Sequence, residues 1–227
     1  MSGYAERFER VTATIAEACA RAGREPSAVT LLAVSKEQPD EGVRALHALG
    51  VCDFGENKVQ ALAGRVERVV LGDVRWHLIG PLQTNKVKDV ARLRPALLHS
   101  VDRVELAAAL AKRLTAPLAC LVQVNVDREP QKAGALPEEL GRVLDAIAEV
   151  PLLSCHGLMA IPRPLDEAGE AATRAAFDAM RRLLDEVRPR LAGAVLSLGM
   201  SDDYALAIEH GATLVRIGSA LFGPRPS

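Results

Sequence analysis

Lys36 follows the apolar run Val29-Thr30-Leu31-Leu32-Ala33-Val34-Ser35. A buried strand ending there would aim one long amine at the mouth of a barrel, the placement of a lysine that forms a Schiff base with a carbonyl compound. Taken alone, the segment reads more simply as a strand end with a solvated lysine. The chemical reading draws on a second region about 180 residues further on. There, one apolar segment runs into Gly199-Met200-Ser201-Asp202-Asp203 and another into Arg216-Ile217-Gly218-Ser219. A glycine admits close approach, the Ser201 hydroxyl can donate, and Gly218-Ser219 can open a short helix with exposed backbone N–H groups. Two such helix starts converging on one point make an anion site. Each loop alone reads as a turn glycine beside a capping serine; together they point to phosphate.

Arg216 stands between apolar residues, and on an interior position it needs a partner. A salt bridge inside the barrel would serve, as would the ring nitrogen or carboxylate of a ligand. Asn57, in Asp53-Phe54-Gly55-Glu56-Asn57, can hydrogen-bond a ring hydroxyl or a phosphate. His77, between Trp76 and Leu78 within a strand, reads as a satisfied core histidine, and the adjacent Asp202 and Asp203 read as helix-start charges. His47, His99, His156 and His210 are not spaced as metal ligands with one another or with the cysteines, so no metal site is assigned.

The elements that must position these groups follow from periodicity. Short β-rich apolar segments alternate with longer helical ones, the pattern of parallel strands joined by helices. Eight strands are expected, near residues 29–35, 51–55, 75–80, 97–101, 118–125, 152–161, 195–199 and 214–218. Eight βα units imply an α/β fold, a single (β/α)8 TIM-like barrel, with an extra N-terminal helix near 4–22 whose apolar stripe is Phe8, Val11, Ile15, Ala18 and Cys19. That helix either packs on the barrel's outside or closes its bottom. No composition shift or Gly/Ser tract marks a linker, so residues 1–227 read as one domain; Pro162, Pro164, Pro189, Pro224 and Pro226 punctuate loops and the tail. An open doubly wound sheet is the competing architecture, but no G-x-G-x-x-G turn follows the first strand.

Bulk properties narrow the function class. A net charge of -1 and a sequence pI near 6.5, with arginines spread along the chain, speak against a nucleic-acid or membrane-surface partner. Cys19, Cys52, Cys120 and Cys155 sit among Ala, Val and Leu without a C-x-x-C pair, as buried thiols of a reducing compartment do. No signal-peptide core or membrane-length apolar run is present, and a cytoplasmic protein is expected.

The chain resembles the pyridoxal 5'-phosphate (PLP) homeostasis proteins, which are PLP-binding proteins similar to the N-terminal domain of alanine racemase. The resemblance rests on Ala33-Val34-Ser35-Lys36, Phe54-Gly55-Glu56-Asn57, Trp76-His77-Leu78-Ile79-Gly80-Pro81-Leu82-Gln83-Thr84-Asn85-Lys86, Gln123-Val124-Asn125, Gly157-Leu158-Met159-Ala160-Ile161-Pro162, Gly199-Met200-Ser201-Asp202 and the segment from Val215 to Gly223. It implies a TIM-like barrel holding PLP as a Schiff base on Lys36. Ser201, Gly218 and Ser219 would contact the phosphate, Met200 would line that loop, Arg216 would face the pyridine nitrogen and Asn57 would belong to the pocket. Glu37 departs from the threonine often found after the lysine, and Ala61 from a position often acidic.

An arginine at the pyridine nitrogen keeps that nitrogen unprotonated and weakens the ring as an electron sink, but the related racemases share this feature. Those racemases add a β-rich C-terminal domain that supplies the opposing base and completes a dimeric site, whereas this chain ends at Pro226-Ser227, just after the eighth unit. The resemblance therefore implies a monomeric carrier that stores or delivers PLP without robust catalysis, with PLP-requiring apo-enzymes as transient partners. Two alternatives stand beside it: a PLP-dependent amino-acid racemase, and a cofactor-free Schiff-base aldolase acting on a phosphorylated sugar.

Overall fold

The computed structural model describes residues 3–224. Eight parallel strands pair in chain order and close into a barrel: β1 (Thr30–Val34), β2 (Asp53–Glu56), β3 (Arg75–Leu78), β4 (Leu97–Val101), β5 (Leu118–Gln123), β6 (Leu153–Met159), β7 (Val195–Ser197) and β8 (Leu214–Ile217). Closure runs through the register Thr30↔Leu214 to Ala33↔Ile217 between β1 and β8. The helices are α1 (Gly3–Arg21), α2 (Asp40–Ala48), α3 (Val59–Arg68), α4 (Val87–Leu93), α5 (Val104–Ala111), α6 (Leu140–Ala148), α7 (Leu165–Ala168), α8 (Glu170–Val187), α9 (Tyr204–Glu209) and α10 (Ser219–Phe222). Pro226 and Ser227, read as the tail, lie outside the described residues.

Each expected strand is present. Where an expectation overshoots, as at Gly80, Gly199 and Gly218, the residue continues the apolar run but lies past the last strand residue, on the barrel rim. The α1 stripe Val11, Ile15, Ala18 and Cys19 is buried on the barrel's outside, against α2, α9 and α10. Arg24, just beyond it, donates to Ile208 O at 2.9 Å and Ala212 O at 2.8 Å.

The two-residue strand period divides the core into layers. Ala33, Phe54, Leu78, Val122, Leu158, Val215 and Ile217 point outward and pack with the helices. Leu32, Val34, Ile79, Leu97, Leu121, Met159 and Leu214 form a separate cluster inside the barrel. The alternation that sends Leu214 inward also sends Arg216 inward, so a guanidinium lies in the interior, 4% exposed. Three cysteines are buried as expected, but Cys52 is only half-buried. It precedes the first ladder residue of β2, and its thiol donates to Asp73 Oδ2 at 3.4 Å. All four thiols are free.

Candidate functional site

At the C-terminal mouth of the barrel lies a cavity of about 280 Å³. All seven residues singled out in the sequence line it: Lys36 after β1, Asn57 after β2, Met200 and Ser201 after β7, Arg216 on β8, and Gly218 and Ser219 at the start of α10. Val34, Ile79, Pro81 and Ile161 supply an apolar wall. Such a mixture, mostly apolar with a few convergent polar groups, is what a small-molecule site presents.

Lys36 is carried by a tight turn. Gln38 N donates to Ser35 O at 3.0 Å, and Glu37 takes φ 60, the positive value that the third residue of a type II turn requires. Asn57 reaches the cavity because Gly80 lets the β3 loop close on it: a Cβ on Gly80 would lie 2.1 Å from Asn57 O.

On the opposite side, Ser201 Oγ accepts from Gly218 N at 3.3 Å and Ala220 N at 3.5 Å. An oxygen is thus already seated on the first N–H groups of α10, by bonds at the long end of the useful range. The α9 start is built differently from that of α10. There the N-cap residue Asp203 turns its carboxylate back to accept from Met200 N at 2.6 Å, before the helix, and leaves the first N–H groups of α9 without a side-chain cap. Burial pushes the Asp203 carboxyl up, against the Met200 N–H bond and the nearby Arg216 charge.

Arg216 has neutral partners, not the interior salt bridge the sequence left open. Nη1 donates to Ser197 O and Ser197 Oγ, both at 2.8 Å, and Nη2 donates to Ala160 O at 2.8 Å. Burial pushes the guanidinium down to about 10, with the Asp203 charge opposing. Below it a polar chain descends the barrel axis. Ser197 Oγ lies 3.3 Å from His99 Nδ1, His99 Nε2 lies 2.9 Å from His77 Nδ1, and His77 Nε2 lies 3.0 Å from Asp53 Oδ1. An ionised carboxylate only accepts, so the His77 Nε2 proton goes to Asp53; with both rings neutral, His77 Nδ1 then accepts from His99 Nε2 and His99 Nδ1 accepts the serine proton. Burial, with the Arg216 charge nearby, holds His99 well below the usual imidazole range, in keeping with a neutral ring. His77 is therefore a satisfied core histidine, and its neighbours hold Arg216 in place.

Sequence reasoning missed these supports, and it missed Arg65. That residue is buried on α3, donates to Ser35 O at 2.9 Å and Gln38 O at 2.8 Å, and pairs with Glu56 and Asp40.

Comparison with known proteins adds family and fold. The model of the family "Alanine racemase, N-terminal domain" matches residues 8–226. A pyridoxal phosphate homeostasis protein of Pseudomonas aeruginosa is 45% identical over 228 residues, covering 99% of this chain and 97% of its own. The protein of the same name from Escherichia coli K12 is 37% identical over 236 residues, covering 99% and 98%. PipY of Synechococcus elongatus, solved with PLP bound, superposes with a TM-score of 0.78 at 36% identity, covering 92% of this chain and 100% of that one. Alanine racemase from Corynebacterium glutamicum superposes with a TM-score of 0.70 at 18% identity, over 96% of this chain and 62% of its own, a likeness of fold alone.

Proposed function

We propose, from the premise that this chain belongs to the pyridoxal phosphate homeostasis protein family, that it holds PLP as a Schiff base on Lys36 and stores or delivers it without robust catalysis. The observation that carries this reading is the convergence of Lys36, the Ser201-capped start of α10 and the Arg216 guanidinium on one small cavity. When bound, PLP supplies an electrophilic aldehyde carbon on an electron-withdrawing ring.

The residues present fit that cofactor. Ser201 Oγ already places an oxygen on the α10 N–H groups, and a phosphate oxygen can share or replace it there, with Gly218 and Ser219 completing the cradle. Met200 lines the same loop. Arg216 faces the ring nitrogen as a donor only, being protonated well below about pH 10. Asn57 offers an amide to the ring hydroxyl or the phosphate. Lys36 brings the amine, which attacks a carbonyl in its neutral form.

The carrier reading follows from the relatives named as homeostasis proteins, and the racemase alternative would need more than the lysine. Proton transfer at a substrate carbon needs a second positioned acid or base. Among the described residues lining the cavity, Asp202 is the only titratable group besides Lys36 and Arg216. On this reading residues 1–227 form one PLP-binding domain, acting as a cytoplasmic monomer with PLP-requiring apo-enzymes as transient recipients. No described helix is long and apolar enough to cross a membrane. The test is loss of an α-deuteron from amino acids incubated with the PLP-loaded protein. Exchange no faster than with free PLP is expected, and Lys36-dependent exchange above that rate would overturn the carrier in favour of the racemase.

A further inference from the structure

Arg65 is a charged residue on the buried face of a helix, about one turn beyond Leu62 and two beyond Val59, and is 5% exposed. Burying a guanidinium is costly unless its donors are matched. The bland account is a counter-ion for Glu56, which is itself 1% exposed and is reached by Arg65 Nε at 3.1 Å. That pairing occupies only one edge of the fork. Nη1 donates to Asp40 at the start of α2, and Nη2 donates to two backbone carbonyls, Ser35 O and Gln38 O. Those two carbonyls are the ends of the four-residue turn that carries Lys36. Glu56 Oε1 also accepts from Ser35 Oγ at 2.8 Å, so the carboxylate and the guanidinium grip the same turn from two sides.

We propose that Arg65 is a positioning residue for Lys36: it clamps both ends of the turn and so fixes the direction in which the lysine enters the cavity. The turn carries a cost that something must offset, because Glu37 adopts a positive φ that a non-glycine residue rarely takes. Release of the clamp lets the turn relax and lets a long, rotamer-rich side chain sample directions away from the cavity. A group that forms a covalent bond is sensitive to such misplacement, whereas ligand groups held elsewhere in the cavity are not.

This inference rests on the reading that Lys36 forms the Schiff base, and the test separates the two. Wild type, Arg65→Gln and Arg65→Lys are each titrated with PLP and with pyridoxine 5'-phosphate. The second compound has the same ring and phosphate but an alcohol in place of the aldehyde. The Lys36 adduct is quantified by peptide mass after borohydride reduction, and pyridoxine 5'-phosphate affinity by calorimetry. Arg65→Gln is expected to lose roughly ten- to a hundredfold in the Lys36 adduct-forming equilibrium, with about twofold or less change for pyridoxine 5'-phosphate. Arg65→Lys keeps the charge, but one ammonium cannot serve both carbonyls and Glu56, so an intermediate loss is expected. If circular dichroism shows Arg65→Gln unfolded, Arg65→Lys carries the test by the same split. Unchanged adduct formation, or equal losses for both ligands, overturns the positioning role. A wild type with no Lys36 adduct overturns the Schiff-base reading and this inference with it.

Discussion

Replacing Ser201 by alanine separates two roles of one hydroxyl. In the free protein Ser201 Oγ accepts from Gly218 N at 3.3 Å and Ala220 N at 3.5 Å. Bonds this long contribute little, and their loss is expected to cost at most ~1 kcal/mol of folding stability. For a chain of this size that is a fall in Tm of roughly 2–4 °C. With a phosphate in the cradle the same hydroxyl donates to an anionic oxygen, a charge-assisted bond of about 1–3 kcal/mol. The affinity loss should therefore be about 5- to 150-fold. Calorimetric titration with pyridoxine 5'-phosphate measures it without interference from imine formation, and pyridoxine, which lacks the phosphate, is the control. Ser201→Ala should weaken the first ligand and leave the second unchanged. Equal pyridoxine 5'-phosphate affinity in the two proteins removes Ser201 from the phosphate site, and equal losses for both ligands mean the loop has collapsed.

Other expectations concern the scaffold. Asp53 is pushed up by burial, but bonds from His77 and Arg75, with the Arg75 charge, outweigh this and leave its carboxyl below the usual range. A folded-state value below the unfolded one stabilises above the ordinary carboxylate range near ~3.9, and that stability is lost as pH falls through the folded value. Urea midpoints of wild type and Asp53→Asn should thus converge as pH drops below about 4; a gap that stays constant would count against the His77–Asp53–Arg75 pairing. Arg94 ends α4 in the left-handed region at φ 49 and ψ 61. Arg94→Gly should raise stability by about 1 kcal/mol, or Tm by roughly 2–4 °C, and a lower Tm would refute that account. Gly80→Ala would drive a Cβ into Asn57 O. It should cost about 1–3 kcal/mol and weaken pyridoxine 5'-phosphate binding, an unchanged melting curve being the contrary result.

The barrel was legible because most strands are apolar runs and each strand's neighbours in the sheet are also its neighbours in sequence; even β7, three residues long, announces itself as Val195-Leu196-Ser197. Lys36, Ser201 and Gly218 could be found because strand ends are marked by where the apolar runs stop. What Arg216 bonds to was not legible. Ser197 is 19 residues away and His99 is 98 residues from Ser197, and only closure of the barrel brings the three together. Arg65 did leave a signal, a charge on the stripe that Val59 and Leu62 define as inward. Its partners Ser35 O and Gln38 O are backbone atoms, which a reading of side-chain types does not see. Cys52 is half-buried because it precedes the first paired residue of β2, and the Asp53 that follows it directly was the signal that the apolar reading passed over.

The central claim is that Lys36 is the residue that captures PLP. Incubation with PLP, borohydride reduction and peptide mass mapping convert a labile imine into a permanent pyridoxyl-lysine whose position can be read. The expected result is one adduct, on Lys36, absent from a Lys36→Ala variant whose circular dichroism matches wild type. No adduct, or adducts scattered over surface lysines and unchanged by Lys36→Ala, would contradict the account and return the cavity to a phosphorylated substrate.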